Sequence, residues 1–561
     1  MYKLFLCLRY LRSRIIAYFA VLAVALCVAM MLIVISVMNG FLDKIEQAAK
    51  GLFGDVVIES GSVSGFGRYD EFIAEMKQKV PQVEAACPFI LTFGMLRVPD
   101  TDYRQIVQIA GVRLPDQASV TRFADGLQFQ QGAAEPSFDP DFGLLLKNLR
   151  AETARTRDIL HRETQGRSPG QPVPEEQAEL TRRLWSAIDF QTAGAGRLES
   201  GREAQGPLRE LYRRLQEAEA SAAGQRGEQV EEIERQLDEL REEVDVMDPA
   251  NRVILGLGIP GLSFRTEKGE TIRYIVPGQN VVLSLLPLGR GSFSSGDITP
   301  SNARLTIVDD CRTDVFSIDS EMTYLPFETL QKLNNMDAEY AADGGELVRP
   351  ARCSQIHVKV RPEFAHDAKL LDVAGRVNTL WLDFERRYPD AATTEVTAQT
   401  WRQRQARMIA PIQQQRTLVV TMFGIISLVS VVLIFVIFYT IVVQKTREIG
   451  VLKAIGGSSW GVAQVFLGYG AMIGLVGSVI GCVGGYYFVR YINPIQDALD
   501  AWLGFRVWSR EWHLFEKIPN TVEPLPALLI TIGAVLAGLV GALIPAWRAA
   551  RMQPVEALRY E

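Results

Sequence analysis

With 561 residues, a net charge of −6 and only four histidines, the chain is long enough for several domains. Its mildly acidic balance, without a basic-aromatic patch, excludes a nucleic-acid-binding reading. Residues 15–41, 417–443, 462–489 and 526–547 are apolar stretches, each reaching the ~20 residues that cross ~30 Å of hydrocarbon as a helix, which excludes a wholly soluble protein.

In chain order, Lys3, Arg9, Arg12 and Arg14 precede the first apolar stretch. A cleavable leader has an apolar core of only ~7–15 residues and a small-residue cleavage site, so this stretch is expected to stay as an anchor. Strand-like pieces follow at 55–60 (DVVIES), 89–98 (FILTFGMLRV) and 104–114 (RQIVQIAGVRL), with helical spacing at 69–80. They are rich in Val and Ile and bounded by Gly, Pro and Asp. Similar pieces return at 280–288, 303–310 and 354–360, with helices expected at 327–336 and 370–387. These pieces make an α+β domain.

Between the two halves, Glu, Arg, Gln and Asp crowd 140–250. Val230, Ile233, Leu237, Leu240 and Val244 follow a 3-4-3-4 spacing, and Leu208, Leu211 and Leu215 begin it upstream. That is a heptad seam, and the AAGQRGEQ stretch at 222–229 suggests an antiparallel helical hairpin. A further helix is expected at 174–190, opening with Pro and Glu. The insertion reads as an arm that touches a partner or as a piece folding on itself.

The expected division is 1–42 (cytoplasmic segment and first span), 43–135 (outer domain), 136–250 (helical, coiled-coil insertion) and 251–415 (outer domain resumed). There follow 416–443 (second span), 444–461 (polar island), 462–490 (third span), 491–524 (outer loop), 525–547 (fourth span) and 548–561 (tail). Basic residues close to the spans set orientation. Four crossings put the N-terminal arginines, the island's Lys445, Arg447 and Lys453, and Arg548 and Arg551 on one side, expected to be the cytoplasm. Cys87, Cys311 and Cys353 then lie outside, where disulfides are permitted. A Cys311–Cys353 bond is one option and unpaired thiols are the other.

Chemistry-bearing motifs are sparse. No Lys follows a Gly, so there is no Walker A loop, and His161, His357, His366 and His513 make no zinc pattern. A G-x-S-x-G elbow is not expected either. No catalytic residue, cofactor or metal site is expected. The third stretch carries Gly470, Gly474, Gly477, Gly481 and Gly485, and the fourth carries Ala534, Gly538 and Gly541. Small residues at four-residue spacing let membrane helices pack closely. In the island, Ile449, Leu452 and Ile455 fall on one helical face, Lys445, Arg447 and Glu448 crowd its start, and Gly456-Gly457 stops it before Ser458 or Ser459 caps the next helix. An apolar face there needs a cover, lipid or protein.

TREIGVLKAIGGS in the island and IPAWRAARMQPVEALRYE at the end resemble the coupling segment and C-terminus of ABC permeases of the MacB, FtsX and LolC/LolE group. The order of one span, a large outer domain and three spans resembles theirs too. VISVMNGF at 34–41 is similar to the lipoprotein-releasing Lol-type members in particular. The resemblance implies an inner-membrane, non-catalytic subunit. It implies a separate cytoplasmic ATPase dimer gripping Arg447, Glu448, Ile449, Leu452, Lys453, Ile455 and Gly456, and a second permease copy or paralogue. The substrate would be a lipoprotein taken from the membrane lipids and expelled by mechanical transmission without a pore. It further implies a hook for a periplasmic lipoprotein carrier, matched by 285–304, with Leu288, Gly289, Pro300, Ser301 and Arg304 as its residues. Alternatives are MacB- or FtsX-like export or envelope work, and an ATPase-independent scaffold or sensor.

Overall fold

The computed structural model describes residues 15–99, 101–131, 133, 135–164, 175–220, 235, 249–266, 270–288, 299–313, 315–340, 347–392, 394–503, 518 and 520–553. They form two compact units. Met1–Glu46 with Ala406–Glu561 is one, and Gln47–Gln405 is the other.

The first unit contains four membrane spans, Tyr18–Glu46, Ile409–Gln444, Ser459–Arg490 and Pro524–Arg551. All are helical because a helix satisfies its own backbone where no water is available. Val21, Val24, Val28 and Leu32 of the first span meet Ile434 and Phe438 of the second, Tyr469 and Ile473 of the third and Ala542 of the fourth in one core. The third span uses its glycines on two faces. A Cβ at Gly470 would lie 2.6 Å from Gly538 O, and one at Gly474 2.7 Å from Ala534 O, both on the fourth span. On the other face a Cβ at Gly477 would sit 2.8 Å from Val24, one at Gly481 2.5 Å from Ala25 O, and one at Gly485 3.1 Å from Leu32. Backbone contact this close is what small residues permit. In the loop after the third span, helix Ile492–Leu503 is tied down by Asn493, which bonds the backbone N–H and C=O of Ile518, each at 3.0 Å.

The second unit is built on a nine-stranded sheet: β1 (Val56–Ser60), β2 (Val83–Arg97), β3 (Arg104–Val112), β4 (Arg252–Gly256), β5 (Asn280–Leu285), β6 (Ser301–Cys311), β7 (Met322–Pro326), β8 (Gln355–Val360) and β9 (Val396–Thr400). Their order is β9-β1-β8-β2-β3-β7-β4-β6-β5, and β5 pairs again with β2. The 15-residue β2 makes this possible. Its first half pairs with β8 and its last residues, Gly94 to Arg97, pair with β5. Six strands therefore close on themselves and leave that ring without a free edge, while β8, β1 and β9 extend the sheet away from it. Pairs β3–β7 and β4–β6 are parallel. Helices Tyr69–Lys79 and Asp367–Arg387 share a separate aromatic core, with Trp381 packed edge-on against Phe66 at 5.1 Å and Phe72 at 4.8 Å.

One expectation about this unit changes, and one choice left open is decided. The insertion is a hairpin of Phe142–Thr164 and Glu175–Ala220, so the helix expected at 174–190 runs unbroken through Leu208, Leu211 and Leu215. The turn placed at 222–229, and the seam residues Val230, Ile233, Leu237, Leu240 and Val244, lie outside the described residues. Nor does the hairpin fold only on itself. Leu149 and Leu198 pack on Val276, and Ile159, Leu184 and Ile188 pack on Ile272. Gln191 Nε2 donates to Arg273 O at 3.0 Å. Buried Arg273 then joins hairpin to sheet, donating to Glu152 at 2.7 Å and to Asp310. Second, no Cys311–Cys353 bond exists. Both thiols are free and buried, Cys311 in the core around Phe123 and Tyr324, Cys353 opposite Phe66. Apolar packing places them in different neighbourhoods.

Candidate functional site

The polar island is a nine-residue helix, Thr446–Ala454, set between the second and third spans. The second span ends where Thr446 Oγ1 donates back to Val442 O at 3.2 Å and Val443 O at 2.9 Å, satisfying carbonyls the helix leaves over. Lys445 pairs with Glu448 across the first turn. At the far end Gly457 N–H donates to Leu452 O at 3.0 Å and Gly456 N–H to Lys453 O at 3.1 Å. That is the Schellman pattern, and Gly456 sits at φ +101°, a left-handed angle that glycine takes without a Cβ penalty. Ser458 caps the third span by accepting from Gly461 N–H at 3.0 Å, so it is the cap rather than Ser459.

Sequence 457–461 reads GSSWG, which does satisfy G-x-S-x-G and corrects the expectation that the pattern is absent. Its setting is the start of a membrane helix rather than a strand-to-helix turn, so Ser459 is not raised on a nucleophile elbow.

The island's apolar residues divide between two sides. Ile449 is only 6% exposed and packs against Val442, Val462 and Ala549, beside the ends of the second, third and fourth spans. Lys453 Nζ donates to Ala550 O and Met552 O, both at 2.7 Å, and so caps the fourth span with a cation where its dipole is negative. The expectation that Ile449 shares an outward face with Leu452 and Ile455 is therefore corrected. Ile449 and Lys453 fasten the helix to its own spans. Facing outward are Val451 at 43% exposure, Leu452 at 51% and Ile455 at 82%, with Arg447 and Glu448 beside them. Val451 and the exposed Trp460 escaped the sequence reading. Their signal was hydrophobicity beside charge, which a periodicity count centred on Ile449 discards.

Of the hook residues, Leu288 is half-buried and its N–H donates to Asn334 Oδ1 at 2.9 Å. Pro300 and Arg304 are exposed. Strands β5 and β6 form the base, pairing Leu285 with Ser301 and Val282 with Arg304. Gly289 and the rest of 289–298 lie outside the described residues. Beside this base, Phe93, Met95 and Ile106 are bare on the outer face of β2 and β3, with Met95 paired to Ile106 and to Ser284. The same sheet face lower down is covered, with Phe89, Ala110 and Val112 in a core.

One span, a large α+β unit, three spans and a short helix between the second and third define a membrane protein with a large domain outside the bilayer. A family model described as FtsX-like permease C-terminal matches residues 420–554, and one described as MacB-like periplasmic core domain matches 18–143. Over these stretches the chain is similar to ABC-type permeases of the FtsX, MacB and LolC/LolE group. It is 26% identical over 161 residues to the lipoprotein-releasing system transmembrane protein LolC of Xylella fastidiosa, 29% of this chain and 39% of that protein. It is 24% identical over 312 residues to LolC of Neisseria meningitidis serogroup B, 55% of this chain and 65% of that protein. A stretch of 121 residues is 30% identical to the macrolide export ATP-binding/permease protein MacB of Syntrophobacter fumaroxidans, 21% of this chain and 14% of that protein. The chain thus matches less than two thirds of the length of each. Residues 144–419, including most of the hairpin insertion, fall outside both family matches.

Proposed function

We propose that this chain is the permease subunit of an ABC-type lipoprotein-releasing system, driven by a separate cytoplasmic ATPase dimer and completed by a second permease copy or paralogue. The observation that carries the reading is the island's division of labour. Val451, Leu452 and Ile455 are offered outward, while Ile449 and Lys453 fasten the same short helix to the ends of the spans. A partner that grips the outer edge and changes shape with nucleotide moves the spans as a group, and binding in one place then biases another. The outer unit passes that motion to a lipid-anchored protein, and the bare Phe93, Met95 and Ile106 beside the hook base suit an apolar partner such as a lipoprotein carrier. The LolC match over 312 residues supports lipoprotein release. The MacB-like core match keeps export or envelope work as the second reading.

Leu452→Arg, or Glu448→Arg, is expected to weaken ATPase association at least ~30-fold, the ~2 kcal/mol scale of an interface anchor, and to uncouple hydrolysis from transport. Co-purification and ATPase assays on the mutant complex measure this, and an intact, active complex refutes the docking assignment. A chain that purifies without any ATPase is a scaffold instead. Depletion is expected to strand outer-membrane lipoproteins in the inner membrane. Correct lipoprotein sorting in depleted cells favours the export reading.

A further inference from the structure

A cavity of about 480 Å³ lies between the C-terminal end of the island helix, the start of the third span and the last turns of the fourth. Its lining is two-natured. Leu467 and Leu543 of the spans supply an apolar wall, and Lys453, Trp460, Trp547 and Arg551 supply cations and indoles. The Arg551 guanidinium stacks on the Trp547 ring, 4.0 Å from its centre. Lys453 is held in place by the two carbonyls that end the fourth span. Among the described residues that line the cavity there is no Asp or Glu, so two cations line it without a carboxylate.

We propose that this cavity binds an anionic phospholipid, with its phosphate between Lys453 and Arg551 and the start of an acyl chain against Leu467 and Leu543. Three features select this occupant. The site lies at the ends of membrane spans, where lipid headgroups are the surrounding medium. Tryptophans at that depth are interfacial anchors, and basic pockets between spans recognise anionic headgroups. A phosphodiester also accepts charge-assisted hydrogen bonds from both cations at once. The bound lipid would brace the junction between the island and the fourth span, whichever protein grips the island's outer edge.

The test uses the full-length protein in phosphatidylcholine nanodiscs doped with either brominated phosphatidylglycerol or brominated phosphatidylcholine, reading tryptophan quenching. For the native chain the expected half-quenching fraction is several-fold lower with the brominated phosphatidylglycerol. Arg551→Gln is expected to abolish the difference and Arg551→Lys to keep it. Native mass spectrometry is expected to count one fewer retained phosphatidylglycerol in Arg551→Gln than in Arg551→Lys. Equal quenching by the two lipids in the native chain, or a preference and lipid count unchanged in Arg551→Gln, overturns the assignment. A cavity closed by a protein segment gives quenching by neither lipid and overturns it too.

Discussion

Ile449 and Lys453 stand beside Leu452 in the island, yet the fold assigns them different work. Composition and spacing made the island visible as a charged, amphipathic turn. Which side faces outward depends on Val442, Val462 and Ala549 arriving from three other places in the chain, and no local pattern encodes that meeting. His357 is a second residue whose neighbourhood decides its chemistry. It is fully buried, stacked on Phe89 at 4.3 Å, with Gln117 at 3.4 Å and Gln355 at 3.3 Å from its ring nitrogens. Burial, aided by nearby Arg404, pushes its pKa well below the ordinary 6.5, so the folded state holds it neutral. An unfolded chain takes up the proton once pH falls below about 6.5, so the stability it contributes is present above that pH and lost below it. Buried Asp309 works in the opposite sense, raised to about 7 by desolvation and by Asp310. A comparison with His357→Gln cancels that contribution, since both proteins carry it. The native chain is expected to lose up to about 1.4 kcal/mol more per pH unit below 6.5 than the variant. Thermal midpoints measured from pH 7.5 to 5 check it, and parallel curves refute it.

At the scale of elements, the glycine ladder of the third span was legible as a packing surface because small residues at four-residue spacing leave a mark in the sequence. Its use on two faces was not. Gly470 and Gly474 meet the fourth span, whereas Gly477, Gly481 and Gly485 meet the first. A ladder drifting around a helix can serve two neighbours, and only assembly says which. Gly474→Ala is expected to push the third and fourth spans apart and lower stability by about 1–3 kcal/mol, the cost of overpacking. Gly484, with nothing within 4 Å of its added Cβ, is expected to tolerate Ala with no measurable loss. Thermal unfolding in detergent separates the two, and equal midpoints refute the tight-packing account.

At the scale of the whole molecule, the closed six-stranded ring and the hairpin insertion form one mechanical unit through Arg273. Its guanidinium is buried between Glu152 of the hairpin and Asp310 of the sheet. Removing the cation leaves two buried carboxylates facing each other, a loss of about 3–5 kcal/mol for a broken buried pair. Arg273→Met is expected to unfold the outer unit at a lower denaturant midpoint and to expose the hairpin to limited proteolysis. Protection equal to that of the native chain contradicts the anchoring role.

The spans, the α+β character of the outer region and the island were determined by the sequence alone. Hydrocarbon length, strand composition and a helix stop at Gly456 are local constraints, read within a few residues of one another. Strands β4, β7 and β9 escaped notice, although β1, equally five residues long, did not. Their pairing is non-local, with β7 lying parallel to β3 across more than two hundred residues of chain. The tertiary structure alone decided that the ring closes through β2 and β5, that the cysteines stay apart, and which side of the island faces outward. Each of these rests on contacts between segments far apart in sequence, where burial outweighs any preference written in the residues nearby.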